Sequence, residues 1–329
     1  MKQPKISFIV VNYATKGLLE KNITNLLNNW DNAEIILVDN DSPDGSADFV
    51  EEKFGKEKKL TLIKSKNNGL SAGFNQGIKK ATGDYHIYLG TDAFPTHNAL
   101  EKMLNHMESD PSIGLITPHL YTRDGKTDMD AHRGFPTPWT ALSHYMYLDK
   151  LFPKSKLFNG YNMGYEDINT IHEIDACISH FMFVNPNVYK KIGVWDENFF
   201  LYGEDIDFCY RIKQAGFKVI YMGDTKVLHY KGAGISRNTS KDIENAMNGD
   251  FEYTSIRDKK VEKGKDGDIK IWMRLNITRE SSKAMRLFYR KHFMGKYNIV
   301  LTYIVLLGIW GVEQLKIFKV LFNYYIFKK

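Results

Sequence analysis

Residues Lys5–Asn12, KISFIVVN, are apolar without alternation, the pattern of a strand covered on both faces in a parallel sheet. Outward from it, Leu18, Leu19, Ile23, Leu26 and Leu27 recur at helical spacing. EIILVD at Glu34–Asp39 predicts a second buried strand, and the loop NDSPDGS after it offers Asp44 or Ser46 as the cap of another helix. Leu60–Lys64 predicts a third strand, Leu70–Ala81 a helix, and Tyr85–Leu89 a fourth strand that ends at GTDAF. This order predicts an α/β fold: a Rossmann-like, doubly wound, mostly parallel sheet with flanking helices. Ligands of such sheets bind at the carboxyl ends of the strands. Those ends carry Asn12 and Tyr13, Asp39 and Asn40, Asn67 and Asn68, and Thr91 and Asp92.

The loops narrow the ligand class. After strand one the chain reads NYATKG, with one glycine, so the G-x-G-x-x-G turn of a dinucleotide enzyme is missing. The glycine-rich P-loop with its lysine is absent too, as is the glycine-rich, arginine-containing loop of nucleotidyltransferases. An aspartate ending strand two can accept from a base N3–H, and one ending strand four can hold a divalent cation across a diphosphate. Those two acids suit a nucleotide-sugar better than a dinucleotide.

The second half centres on WDENFFLYGEDIDFCYRIKQAGFKVIYMGDTKVLH, Trp195–His229. Phe199 and Phe200 precede the acids Glu204, Asp205 and Asp207, and an amphipathic helix carrying Phe208, Ile212 and Ala215 follows. Acids at a helix start ordinarily only complement its dipole. Carboxylates carried into a partly buried cleft are candidates for proton transfer or metal binding.

Taken together, VVNY, VDNDSPDGS, NNGLSAGFNQG, GTDAF and WDENFF-LYGEDIDFCYR-GF-V-H resemble the family 2 glycosyltransferases of GT-A fold. The match runs in order over roughly residues 5–235. The bacterial rhamnosyl- and galactofuranosyl-type transferases of surface polysaccharide synthesis are the group most resembled. The resemblance implies that Asp39 binds the pyrimidine base, with Asn12 and Tyr13 beside it. Asn68, Gly69 and Asn75 match the motif that approaches the nucleotide and ribose. Asp92, next to Thr91, matches the acid of the metal motif, Asp205 the catalytic base, and His229 the histidine that completes the metal site; Glu204 is the structural partner of the pair. The implied cofactor is Mg²⁺ or Mn²⁺. The full metal motif has two aspartates flanking one residue, whereas Gly90, Thr91, Asp92 and Ala93 supply only Asp92, so a weak metal requirement is expected. His132 and Arg133, in DAHRGFPTPW, are placed beside the donor diphosphate or the acceptor, with a solvated loop as the alternative; His180, in ACISHFMFV, reads as a strand residue on the acceptor side.

The implied reaction is inverting transfer of a sugar, best matched to L-rhamnose from dTDP-L-rhamnose, onto a lipid-linked or growing polysaccharide acceptor. UDP-galactose, UDP-galactofuranose and UDP-GlcNAc remain alternative donors, and a non-catalytic scaffold homologue is the alternative class. Of the 329 residues, 43% are hydrophobic, enough for a large core. The expected organisation is a catalytic domain over 1–255, its nucleotide-sugar half about 1–120 and its acceptor half about 121–255, then a helical tail over 256–329. Net charge is +6, yet Lys259–Lys296 alone holds twelve Lys/Arg against four Asp/Glu. The cations Arg279, Lys283, Arg286 and Arg290 fall on one helical face, and Tyr297–Val312 is uncharged for sixteen residues, short of the ~20 a spanning helix needs. A basic segment beside an apolar one predicts an anionic membrane surface as partner and no nucleic acid, with packing on protein, including a homodimer, as the alternative. Cys177 and Cys209 read as buried free thiols, and no signal-peptide pattern opens the chain. The expected location is cytoplasmic, peripheral on the inner face of the bacterial cell membrane.

Overall fold

The computed structural model describes residues 3–230 and 267–326, so the expected domain boundary at 255/256 and the basic residues from Lys259 to Lys265 lie outside the described residues. In order, the elements are β1 Ile6–Asn12, α1 Lys16–Asn29, β2 Ala33–Asn40, α2 Ser46–Phe54, β3 Leu60–Ser65, α3 Leu70–Ile78, β4 Tyr85–Leu89, β5 Ala93–Phe94, α4 His97–Ser109 and β6 Ile113–Tyr121. Then come α5 Pro138–Tyr145, α6 Leu148–Leu151, β7 Ile171–Glu173, β8 Phe181–Val184, α7 Tyr189–Ile192, α8 Glu204–Gln214 and β9 Lys218–His229. Two long helices close the chain, α9 Gly267–His292 and α10 Ile299–Ile326. The strands form one sheet in the order β3-β2-β1-β4-β8-β6-β9-β5, with β7 on β9.

The absence of alternation in β1 and β2 has a direct cause. Phe8, Val10, Ile35 and Leu37 enter the core on one face of the sheet, and Ile9, Ile36 and Val38 enter the core on the other. Successive side chains point to opposite faces, and both faces are covered. The pairs β1–β2, β2–β3 and β1–β4 are parallel in register. The sheet is mixed rather than wholly doubly wound, because β8 inserts antiparallel between β4 and β6, and β5 and β7 run against β9. These reversed strands are two to four residues long, too short for periodicity to register.

Most local expectations hold to within a residue or two. The exception is α3, which stops at Ile78 rather than Ala81. The N-cap of α2 is Gly45, which has no side chain to cap with; Asp44 just before it accepts from the Ser46 N–H at 3.1 Å, and Ser46 is already helical. Cys177 and Cys209 are buried and free.

The tail departs from its expected outline. Glu313, read from sequence as an interruption, is buried inside a continuous 28-residue α10 and pairs with Arg286 of α9 at 2.5 Å. That removes Arg286 from the basic face; Arg279, Lys283 and Arg290 remain exposed. Among the described residues no helix is long and apolar enough to cross a membrane. The outer side of α10 nevertheless exposes Val300, Tyr303, Leu307, Trp310 and Phe318, each more than half accessible.

The inner side of α9 packs Ala284, Phe288 and Tyr289 into the second core face. Its last turn is fastened by Asp207, a fully buried carboxylate on α8 that pairs with Lys291 at 2.7 Å, His292 at 2.7 Å and Arg211 at 2.8 Å. Breaking such a buried pair strands the remaining charges. Asp207→Asn is therefore expected to destabilise the protein by about 3 kcal/mol, the lower end for a buried pair because Lys291 is partly solvated. A lowered urea midpoint would show it, and an unchanged midpoint would rule the latch out.

Candidate functional site

The carboxyl ends of β1, β2 and β4 are tied by short polar side chains. Asn12 donates to Asp39 Oδ2 at 2.6 Å and to Ser42 Oγ at 2.9 Å, and the Ser42 N–H donates to Asp39 Oδ1 at 3.0 Å. Both oxygens of Asp39 thus already accept from the protein. Thr15 bridges Asn12 at 2.5 Å and Thr91 at 2.8 Å. Ala14 and Asp41 hold positive φ at the same edge, 55° and 60°, strained backbone of the sort that collects at binding sites. Tyr13 stands over this edge, half exposed.

Asn75, expected at the nucleotide, is engaged by the scaffold. Asn75 donates to the Trp195 carbonyl at 2.9 Å and to Glu197 at 2.8 Å, and accepts from the Trp195 N–H at 3.0 Å. Its amide pins the Trp195 loop to α3 and is spent on that. Gly69 has φ +97°, and a Cβ there would lie 2.5 Å from the Phe200 carbonyl oxygen, so it is a close-approach glycine. Asn68 is exposed at the loop.

Asp92, His180 and His229 converge, with one ligand atom from each lying within 4.8 Å of the others. His229 Nε2 is 3.5 Å from Asp92 Oδ2, and His180 Nε2 is 4.0 Å from Asp92 Oδ1. The other ring nitrogen of His229 meets the buried Asp128 at 2.7 Å, the carboxylate–histidine pairing that orients metal-binding imidazoles. Burial works against charge on His229, but the Asp128 and Asp92 carboxylates outweigh it and push the imidazole up to about 9. Burial likewise opposes ionisation of Asp92, and the His229 hydrogen bond more than offsets this, holding the carboxyl below its ordinary value. One carboxylate and two imidazoles are a donor set that fits a divalent cation.

Gly90 leaves room for the cluster. A Cβ at position 90 would lie 2.7 Å from His180 Cδ2 and 2.8 Å from Asp92 Oδ1. The space beside Gly90 is taken by the His180 ring, delivered from the strand-entry segment before β8. His180 thus belongs to the Asp92 cluster, not to a separate acceptor face.

The residue before it makes the second link. Ser179 Oγ donates to Glu204 Oε1 at 3.2 Å, so consecutive residues touch the cation cluster and the carboxylate pair at the start of α8. Glu204 and Asp205 follow a turn in which Tyr202 and Gly203 both have positive φ, 68° and 77°. Burial, reinforced by the charge of Asp205, pushes the Glu204 carboxyl up to about 8, and its Oε2 has no partner. Asp205 pairs with Arg133 at 2.7 Å, both side chains about nine-tenths buried. Arg133 thus turns its guanidinium onto the carboxylate. His132 is also buried, against His172 at 2.7 Å.

The structure brings together Asn12, Asp39, Thr91 and Asp92 along one edge, and Glu204, Asp205 and His229 near it through the Ser179–His180 link. Sequence reasoning missed His180 as a member of the cluster, and Asp128 and Ser179 altogether. His180 sits in an apolar run, where a histidine reads as core; Asp128 lies in a loop whose partner is 101 residues away. Neither carries a local signal.

A sequence model described as glycosyl transferase family 2 matches residues 7–180. An uncharacterized glycosyltransferase of Haemophilus influenzae is 37% identical over 32% of this chain and 44% of its own length. The rhamnosyltransferase WbbL of Escherichia coli K12 is 25% identical over 50% of this chain and 59% of its own. Poly-β-1,6-N-acetyl-D-glucosamine synthase of Staphylococcus aureus MSSA476 is 22% identical over 66% and 47%. The chain thus spans about half the length of these relatives. Among solved structures, GalNAc-T7 with UDP, GalNAc and Mn²⁺ aligns with a TM-score of 0.53 and 17% identity over 75% of this chain and 48% of that one, a likeness of fold. With the family model covering more than half of its residues, the chain belongs to glycosyl transferase family 2.

Proposed function

We propose that this protein is an inverting glycosyltransferase that moves a sugar from a nucleotide-sugar onto a glycan or lipid-linked acceptor. The observation that carries the reading is the Ser179–His180 step, which ties Asp92 and His229 to Glu204 and Asp205. Asp205 is the general base: it takes the proton of the acceptor hydroxyl as that oxygen attacks the anomeric carbon. Arg133 holds its orientation, and a carboxylate has about four lone-pair sites, so acceptor capacity remains beside this contact. Glu204, its carboxyl pushed up to about 8, is the protonated neighbour of that base.

Asp92, His180 and His229 would hold a divalent cation, which would supply charge neutralisation for the departing diphosphate. Two imidazoles favour Mn²⁺ over Mg²⁺, which prefers oxygen donors. Asp39, braced by Asn12, faces the base, with Tyr13 over it and Asn68 and Gly69 on the neighbouring loop. The preferred donor is dTDP-L-rhamnose, supported by the WbbL likeness, with UDP-hexoses as competitors. The exposed apolar side of α10 and the cations Arg279, Lys283 and Arg290 support seating on the anionic inner surface of a bacterial membrane.

The reading is tested with a panel of nucleotide-sugars and Mn²⁺, following release of the nucleoside diphosphate. Turnover by the wild type and a loss of about 10²–10⁴-fold in Asp205→Asn are expected; donor binding without turnover across the panel would sink it. Gly90→Asp, which restores a two-aspartate motif, is expected to cut Mn²⁺-dependent activity about 100-fold because it collides with His180. Adding His180→Ala should recover about tenfold of that loss, in the range of neighbour effects on metal sites; no recovery would show that His180 does not occupy the missing aspartate's place.

The raised Glu204 carboxyl sets a pH signature. Unfolded, it ionises near its ordinary 4.5; folded, near 8. Between these values the folded state binds more protons, so stability falls as pH rises through the window. Thermal melts from pH 5 to pH 8.5 should show a steeper decline for wild type than for Glu204→Gln, and parallel curves would count against a protonated Glu204.

A further inference from the structure

His132 and His172 belong neither to the Asp92 cluster nor to the carboxylate pair of α8, and the transfer chemistry uses neither. Their Nε2 atoms face each other at 2.7 Å. Hydrogen bonding on the far side of each ring says what that contact must contain. His132 Nδ1 lies 3.2 Å from the Asn162 carbonyl, which can only accept, so His132 donates from Nδ1. His172 Nδ1 lies 3.2 Å from Thr170 Oγ1, and that hydroxyl is closer to the Asp167 carbonyl, at 2.8 Å. A hydroxyl has one hydrogen. The shorter contact assigns it to the carbonyl, so His172 also donates from Nδ1.

Two imidazoles protonated at Nδ1 turn two lone pairs toward each other. So close a contact repels unless one positive species sits within it, a proton or a metal ion. Burial, reinforced by the charge of His172, pushes the His132 imidazole down to about 4, leaving it the neutral ring that metals bind.

The surroundings match a ligand site. Metal-binding imidazoles ordinarily donate their other N–H to a carbonyl, carboxylate or water, as His132 does to Asn162. Tyr221 packs on both rings, with centroids 4.8 Å and 5.4 Å away, and its hydroxyl is buried with no hydrogen-bond partner among the described residues. His132 is fully buried, whereas His172 is half-buried on β7 beside the exposed Thr170 and Ile171, which gives an ion a way in.

We propose that His132 and His172 are ligands of a second cation, Zn²⁺ or a similar borderline ion, which replaces the shared proton and releases it to solvent. Imidazole suits zinc, whereas Mg²⁺ prefers oxygen. With Zn–N bonds of about 2.0–2.1 Å in a tetrahedron, the two nitrogens would stand about 3.3 Å apart, so entry opens the contact by roughly half an ångström. The ion would join β7, held to the sheet through β9, to the segment that presents Arg133 to Asp205.

Zinc suits the Asp92 cluster too, so the test counts ions in chains that lack one site at a time. Calorimetry near neutral pH is expected to give two Zn²⁺ per wild-type chain, one in Asp92→Asn and one in His172→Ala. One ion per wild-type chain that His172→Ala removes would sustain this proposal and count against the Asp92 cluster. A His172→Ala chain that binds as many ions as wild type, or an Asp92→Asn chain that binds none, overturns it. Nitrogen-15 NMR of the imidazoles in Asp92→Asn reads the contact with both histidines in place, and decides the matter if circular dichroism shows that His172→Ala does not fold. Zinc should shift the Nε2 resonances of His132 and His172 while both Nδ1–H signals persist. A His172 Nδ1 without hydrogen, or Nε2 resonances that zinc leaves in place, would show a plain imidazole–imidazole hydrogen bond and overturn the proposal.

Discussion

Two adjacent carboxylates are buried at the start of α8 with one guanidinium against them. Burial makes charge expensive, and Arg133 at 2.7 Å from Asp205 compensates one negative charge, not two. Burial and the neighbouring Asp205 carboxylate accordingly push the Glu204 carboxyl up to about 8. Much of the surrounding structure follows from this. The preceding turn needs positive φ at Tyr202 and Gly203 to bring the helix start inward. Arg133 must be anchored, and its backbone is: its N–H donates to the Ala176 carbonyl, and its own carbonyl accepts from Ala176. Ser179, three residues on, donates to the Glu204 side chain.

That same short segment, Ala176–His180, carries the other half of the site. By running from the Arg133 bridge to the Asp92 cluster it fixes the distance between the place where a proton would be taken and the place where a diphosphate would be neutralised. A histidine arriving from this segment can replace an aspartate on the strand-four loop only if that loop yields space, and Gly90 yields it. On the proposed reading, the reduced metal motif is a relocation of one ligand from a sequential neighbour to a spatial one.

This relocation also marks where the sequence stops being readable. Buried strands such as KISFIVVN and EIILVD announce themselves because both faces of the sheet demand apolar side chains, and the strand ends place Asn12, Asp39 and Asp92 automatically. The acids of α8 are legible by the same logic, as charges that follow an aromatic run. His180, Asp128 and Asn75 are not, since their roles rest on contacts 88, 101 and 120 positions distant and on side-chain direction, which local periodicity does not encode. Arg133 was visible as a cation near the crevice, but only the fold decides whether it meets a phosphate or a carboxylate. Glu313 misled for a related reason: a charge in an apolar run reads as a break unless its partner, Arg286, is seen across the helix pair.

The latch at Asp207 connects the two ends of this argument. It lies on α8, two residues after Asp205, yet its partners Lys291 and His292 end α9. Ala284 of α9 sits 3.2 Å from where a Cβ of Gly203 would be, so the helix also abuts the turn that delivers the carboxylates. Packed interiors transmit displacement rather than absorb it. A force that shifted α9–α10, such as seating the apolar side of α10 on a lipid surface, would reach Glu204 and Asp205 through a buried ion pair and a glycine contact, with no flexible loop between. The tail is therefore better regarded as the outer wall of the turn that carries Glu204 and Asp205 than as an appendage, and the position of that wall is set by the buried charge of Asp207.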